Sequence, residues 1–309
     1  MDLNERTVFC PATVSNVGPG FDLLGFALEA PGDIIKVKKN DSGMLRLVDK
    51  SGCNLPTDIG ENVASIAVMA LLKDLNIKDG FDIHFIEKIT PGSGLGSSAA
   101  SCVAAVIGVN ELLPEPLQTA KLLPYAMKGE LHASGSFHAD NVAPALLGGF
   151  TLIRGYDPLD IKHIPYPDDL CCAVVHPDLE FKTSEGRKLL PTEVPLKTAI
   201  TQAGNLAGLI AGLTSSDYGL ISRSVQDQFA EPVRVKKLPA FETLKKNTLE
   251  AGALATGLSG SGPSLFSLCR GKEIATSVAR VMADHFSRNN IKNKTYVSKV
   301  SEAGCRITG

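Results

Sequence analysis

The sequence predicts an α+β protein of two domains with a cleft between them, and three observations carry that reading. The first half mixes short strands with helices of small residues. The second half runs strand, helix, helix, strand, helix, strand, the order of an α+β sandwich. Between them, residues 155–169 carry Pro158, Pro165 and Pro167 and read as a linker, so the expected division is 1–160 and 161–309. A chain of 309 residues accommodates one large domain or two ordinary ones.

Taken in order, residues 7–10, 34–38 and 45–48 alternate or cluster apolar side chains as strands do, and Phe81, Ile83 and Phe85 put apolar groups on one face of another. Residues 62–75 predict a helix with Val63, Ile66, Ala67, Ala70 and Leu71 on one stripe. A glycine-rich loop spans 91–97, and a helix follows from about Ser98 to Leu113, where Pro114 ends it. Past the linker, 171–175 reads as a strand, 198–213 as an amphipathic helix and 241–251 as another. Residues 264–269 form a strand, 273–286 a helix, and 295–300 a closing strand.

Composition excludes several classes of function. Hydrophobic content of 44% with 21% charged residues is that of a soluble globular protein. No run approaches the roughly 18 to 20 apolar residues that span a bilayer, so no membrane partner is expected. The opening MDLNERTVFC has no basic region followed by an apolar stretch, which makes a secretory signal unexpected. A net charge of −2 gives no field for nucleic acid. The seven cysteines include no C-x-x-C, and the six histidines no H-E-x-x-H. Reduced thiols in a cytoplasmic protein with a small-molecule partner are therefore expected.

The most informative segment is Pro91-Gly92-Ser93-Gly94-Leu95-Gly96-Ser97-Ser98-Ala99-Ala100. Its glycines let the backbone turn tightly and bring N–H groups close to an anion. Ser97 or Ser98 can then start a helix whose first free N–H groups carry partial positive charge. The loop lacks the lysine of a Walker A sequence, and its G-x-G-x-G spacing departs from the dinucleotide fingerprint. Alone, it could be a glycine turn capped by serine.

Two further motifs accompany it: Pro11-Ala12-Thr13-x-Ser15-Asn16-x-Gly18-Pro19-Gly20-Phe21-Asp22, and Gly257-Leu258-Ser259-Gly260-Ser261-Gly262-Pro263-Ser264. With these three in this order the chain resembles the GHMP kinase superfamily over essentially its whole length. Within it, the N-x-G-P-G-F-D form ending at Asp22 resembles the homoserine kinase family. So do His138-Ala139-Asp140-Asn141-Val142-Ala143-Pro144, Lys182-Thr183-Ser184-Glu185-Gly186-Arg187 and Glu231-Pro232-Val233-Arg234. Gly186 departs from the alanine common there but leaves Thr183 and Arg187 in place.

The resemblance implies a two-domain GHMP kinase fold, with a ribosomal-protein-S5-domain-2-like N-terminal half and a ferredoxin-like C-terminal half. It implies ATP on Pro91 through Ser101, with Asn62 as a weaker adenine contact, and Mg2+ on Ser98 and Glu130. A hydroxyl and a carboxylate are hard oxygen donors that leave room for water, as magnesium prefers. It implies phosphorylation of L-homoserine in threonine biosynthesis, and it suggests a homodimer. Homoserine is a zwitterion with a primary hydroxyl. Arg187 and Arg234 suit its carboxylate and Asp22 its ammonium, with Asn16, His138, Asn141, Thr183 and Gly260 completing the pocket. Gly260 and Gly262 either close a loop over the substrate or support the phosphate loop. Asp140, His138 and Asn141 are the expected catalytic group; Asp140 is either a catalytic base or a carboxylate that organises the 138–141 turn, and the expectation is positioning without an obligatory base. The rival functions are a kinase for mevalonate or shikimate, a silent metabolite sensor on this fold, and a plain interaction module. Mevalonate and shikimate lack the ammonium that Asp22 would meet.

Overall fold

The computed structural model describes residues 3–135, 137–179, 187 and 190–309. Thr183, expected in the substrate pocket, lies outside the described residues.

The first sheet holds β1 (Glu5–Ser15), β2 (Leu24–Asn40), β3 (Leu45–Asp49), β4 (Gly80–Glu87), β5 (Phe150–Tyr156), β6 (Leu159–Ile164) and β11 (Arg306–Ile307). Its order is β11-β1-β2-β4-β3, with β5 beside β2 and β6 beside β5. Strand β2 pairs with β1 along one edge and is long enough to serve two neighbours on the other. Its start pairs with β5 at Leu24–Phe26, and its far half pairs with β4 from Ile34 to Asn40. Phe81, Ile83 and Phe85 are buried together, as their alternation predicts.

Strands β3 and β4 run parallel and are joined through α1 (Val63–Asp74). Asn62 caps α1, its Oδ1 accepting the Ala64 N–H at 2.9 Å. Ala67 and Leu71 are buried as expected, but Ala64, Ser65 and Val68 replace Val63, Ile66 and Ala70 on the hidden face. The cause is that α2 (Ser97–Asn110) and α3 (Leu123–Ser134) both cover α1. Helix α2 stops at Asn110, short of the expected Leu113. The Leu112 N–H turns to the Val109 carbonyl at 3.0 Å, and the Asn110 amide bonds Leu117. Helices α3 and α4 (Val142–Leu147) are not anticipated by the periodicity.

The expected linker is largely a hairpin. Tyr156 pairs with Leu159 across a turn at Asp157 and Pro158, so the division at 160/161 falls inside β6. Pro158 sits where no ladder N–H is needed, and proline content alone does not separate a hairpin turn from a linker. The chain crosses to the second sheet over 165–169.

That sheet contains β7 (Leu170–Pro177), β8 (Ala255–Leu258), β9 (Leu265–Arg270) and β10 (Asn293–Lys299), all antiparallel, in the order β10-β7-β9-β8. With helices α5 (Leu196–Ser215) and α8 (Phe241–Glu250) before β8 and α9 (Lys272–Arg288) before β10, this is the ferredoxin-like arrangement. Short helices α6 (Tyr218–Ser224) and α7 (Glu231–Arg234) lie between α5 and α8. The chain then returns to the first half, where Val300 bridges Leu28 and β11 pairs with β1. One buried cluster runs through both halves, from Val8 and Phe26 to Phe266 and Leu268, and a second, from Cys171 and Val175 to Met282 and Phe286, packs the helices of the C-terminal half on its sheet. Among the described residues no helix is long and apolar enough to cross a membrane.

Candidate active site

The loop between β4 and α2 forms one end of a cleft. Gly92, Gly94 and Gly96 have φ of 72°, 80° and 68°. A Cβ at Gly96 would stand 2.0 Å from Thr13 Oγ1, and one at Gly94 would stand 2.7 Å from the carbonyls of Ser259 and Gly262. The loop is therefore pressed between β1 and the third glycine motif. Ser259 Oγ donates to the Gly94 carbonyl at 2.7 Å, and the Ser264 N–H donates to the Ser93 carbonyl at 3.1 Å. Of the two roles open to that motif, this packing is the supporting one. Gly96 precedes α2 with no side-chain cap, which leaves the first-turn N–H groups available to an anion.

Ser97 neither caps the helix nor points at the loop. Its hydroxyl donates to the Ile89 carbonyl at 2.8 Å and accepts from Lys88 Nζ at 2.6 Å. Lys88 also reaches the Ser97 carbonyl at 2.5 Å and Asp33 at 2.8 Å, with side-chain exposures of only 3% and 0% for the ion pair. The Ser101 hydroxyl and the Ile89 N–H complete the shell of Asp33 at 2.9 and 2.8 Å. Burial pushes the Asp33 carboxyl up, and Lys88 opposes it. Sequence reasoning missed this network. Its only signal is a charged residue at the edge of an apolar run, as in Gly32-Asp33-Ile34-Ile35.

Ser98 points the other way, donating to Glu130 Oε2 at 2.6 Å. Burial pushes the Glu130 carboxyl above its ordinary value, and the Ser98 bond partly offsets this. Leu95, Ala99 and Ala100 are core residues and do not line the cleft. Asn62 does line it, but its amide is already spent on the α1 cap and on the Pro56 carbonyl at 2.7 Å. Leu55, Pro56, Val63 and Phe85 give that end an apolar wall that sequence reasoning did not identify.

At the other end the backbone of Asn16 and Asp22 is left-handed, with φ of 67° and 57°. Asn16 holds the loop, accepting the Asp22 N–H at 3.1 Å and donating to the Gly260 carbonyl at 3.1 Å. Arg234 donates to the same carbonyl at 3.0 Å, while its buried Nε has no hydrogen-bond partner among the described residues. Arg187 Nη2 grips both oxygens of Asp22 at 2.8 and 2.6 Å. Both guanidinium groups lie over the Phe21 ring, at 5.7 and 5.5 Å. Burial and the neighbouring Asp140 raise the Asp22 carboxyl, and Arg187 and His138 pull it back.

The 138–141 turn closes the cleft. Asn141 Oδ1 accepts from Thr13 Oγ1 at 2.7 Å and its amide N–H donates to Ser15 Oγ at 3.0 Å. His138 Nδ1 and Asp140 Oδ1 are 3.4 Å apart, near enough to attract but not aligned to hydrogen-bond, and neither atom has another partner among the described residues. The hydrogen bonds that fix the turn come from Asn141 and from Tyr156, not from Asp140 Oδ1. Burial lowers the His138 imidazole, but Asp140, Asp22 and Glu130 outweigh burial and hold it above its ordinary value.

These groups share one cleft of about 320 Å3, lined by Asn16, Asp22, Ser98, Glu130, His138, Asp140, Asn141, Arg187, Arg234 and Gly260. Every expected site residue with a polar side chain, Thr183 apart, thus lies on this cleft. Among the described residues no cluster of three or more His, Cys, Asp or Glu could hold a metal by protein ligands alone.

The family described as "GHMP kinases N terminal domain" matches residues 62–149, and "GHMP kinases C terminal" matches 209–288. A protein from Chloroherpeton thalassium named homoserine kinase is 41% identical, covering 99% of this chain and 100% of its own. One of that name from Methanococcus maripaludis is 37% identical over 86% of this chain and 88% of its own. Among solved structures, homoserine kinase from Cytophaga hutchinsonii superposes with a TM-score of 0.95 at 44% identity, covering 99% of this chain and 98% of its own.

Proposed function

The chain belongs to the homoserine kinase family of the GHMP kinases, and on that premise we propose that it transfers the γ-phosphoryl group of ATP to the hydroxyl of L-homoserine, yielding O-phospho-L-homoserine and ADP for threonine synthesis. The observation that carries this is the polarity of the cleft. One end offers uncapped helix N–H groups and glycine backbone to phosphates. The other offers a carboxylate and two guanidinium groups to a zwitterion. Ser98, in the first turn of α2, and Glu130 line the same cleft.

The donor set fits magnesium. Ser98 Oγ and Glu130 Oε2, 2.6 Å apart, are hard oxygen donors of the kind magnesium prefers. Ser98 and Glu130 would hold the ion, which neutralises charge developing on the transferred group. At the far end Asp22 holds the ammonium, Arg187 and Arg234 the carboxylate, and Asn141 borders the hydroxyl. The intact glycines and the Ser98–Glu130 pair favour a working kinase over a silent sensor. ADP release with L-homoserine far faster than with mevalonate, shikimate or galactose is the expected result. Equal turnover of any of those alcohols would overturn the substrate.

Arg187→Ala or Arg234→Ala should cost homoserine use about 2 to 4 kcal/mol in kcat/KM, the scale for stripping one partner from a desolvated charge pair. The KM for ATP should barely move. Steady-state kinetics varying each substrate in turn checks this, and a loss confined to ATP would reassign the arginines to phosphate.

Asp140→Asn tests for a base. A loose phosphoryl-transfer transition state needs little deprotonation of the nucleophile, so positioning and charge stabilisation dominate. The expected loss in kcat is about ten- to a hundredfold, below the ~10²–10⁴ typical of a general base. A larger drop with homoserine binding and circular dichroism unchanged would make Asp140 the base.

A further inference from the structure

Tyr156, the last residue of β5, stands behind the cleft and does not line it. Its hydroxyl accepts the Ala139 N–H at 3.0 Å and donates to the Asp22 carbonyl at 3.2 Å. Ala139 lies between His138 and Asp140, and Asp22 ends the left-handed loop that starts at Asn16. One oxygen atom therefore joins the turn at the hydroxyl end of the site to the loop at the zwitterion end. Left-handed backbone at non-glycine residues persists only where surrounding contacts fix it. For Asp22 those contacts are the Asn16 amide at its N–H and the Tyr156 hydroxyl at its carbonyl. The phenol ring is itself held edge-on by Phe137 at 6.0 Å. Burial pushes its ionisation up to about 12, so the donor persists across working pH.

We propose that Tyr156 is a positioning residue that fixes the span between the Asp22 carboxylate and the 138–141 turn, and so sets how many carbons separate ammonium and hydroxyl in the accepted substrate. The proposal rests on the amino-acid alcohol reading of the cleft. Losing the hydroxyl removes one tether from each loop at once, while the Asn141, Asn16 and Arg187 contacts and the glycine loop that binds ATP are left in place.

The test is kcat/KM for L-serine, L-homoserine and L-5-hydroxynorvaline, whose side chains lengthen by one carbon each, in the wild type and in Tyr156→Phe. The variant should flatten the wild-type preference about tenfold, the scale of one or two neutral hydrogen bonds. Its KM for the preferred alcohol should rise, its KM for ATP should stay within about twofold, and its melting temperature should hold within a few degrees, because the ring remains. An unchanged length preference would overturn the proposal. So would a parallel loss with all alcohols and ATP, which marks a merely structural role. A wild type that prefers serine or 5-hydroxynorvaline would refute homoserine as substrate. The ruler would then stand or fall on whether Tyr156→Phe flattens that other optimum.

Discussion

If Glu130 holds magnesium as proposed, Glu130→Gln is expected to lower kcat by about 10³-fold while leaving the fold intact, because a neutral amide is a poor ligand for an ion that would supply several kcal/mol of charge stabilisation. The geometry makes the effect large. Among the cleft's acids, Glu130 is the one paired with a serine hydroxyl at the start of α2, at 2.6 Å, and it is 6% exposed. Ser98→Ala should do likewise but more mildly, since water can replace a hydroxyl more readily than a carboxylate. Initial rates titrated with Mg2+ check both, and normal magnesium dependence in the two variants would remove them from the metal site.

The same carboxylate predicts a pH dependence. Burial raises Glu130 above its usual 4.5, so protons compete with the ion at higher pH than an exposed glutamate would allow. The apparent magnesium affinity of the wild type should therefore fall on the acid side, beginning above that value. Added Mg2+ should move the acid limb to lower pH. In Glu130→Gln that limb should vanish from the magnesium titration. A limb that added magnesium does not shift would belong to another group.

What the sequence discloses here is local chemistry, and what it hides is pairing across distance. The glycine motifs are legible because left-handed φ at Gly92, Gly94 and Gly96 is a demand on single residues. Arg187 and Asp22 each read, in the sequence, as one half of the proposed zwitterion site. Their grip on one another across 165 positions is not legible there. In the unliganded chain the residues proposed for carboxylate and ammonium satisfy each other, and a zwitterion is a ligand that could replace both halves. Tyr156 is invisible for the same reason, because its role lies in joining residues 17 and 134 positions away. The fold errors have other causes. The β5–β6 hairpin is masked by its prolines, β8 is four residues long, and the α3 segment LPYAMKGELHAS carries a proline and a glycine that blur its period.

The buried pair beneath the phosphate loop shows how long-range pairing governs both stability and site. Strand β2 pairs with β4 so that Ile34 meets Glu87, which brings Asp33 beside Lys88 just past the end of the ladder. Lys88→Met should destabilise the protein by about 3 to 5 kcal/mol, because it strands a buried carboxylate. The melting temperature should drop by on the order of 10 °C. Replacing both charges, as Asp33→Leu with Lys88→Met, should recover much of that, since apolar groups of similar size often match a buried pair. The KM for ATP should not recover. Lys88 also holds the Ser97 carbonyl and hydroxyl at 2.5 and 2.6 Å, and no methionine can fix the start of α2 in that way.

Acid provides a second check on the same pair. Asp33 already sits above its usual 3.8 through burial, with Lys88 the main opposing influence, so the single variant raises it further. A group whose folded value exceeds its unfolded one takes up a proton on folding. Its stabilising contribution is then fully present below the unfolded value and lost as pH rises through the folded one. The melting gap between wild type and Lys88→Met should therefore narrow as pH falls from neutrality toward that of ordinary carboxylates. A gap that widens on acidification, or a double variant no more stable than the single, would mean that Lys88 does not neutralise Asp33 beneath the loop.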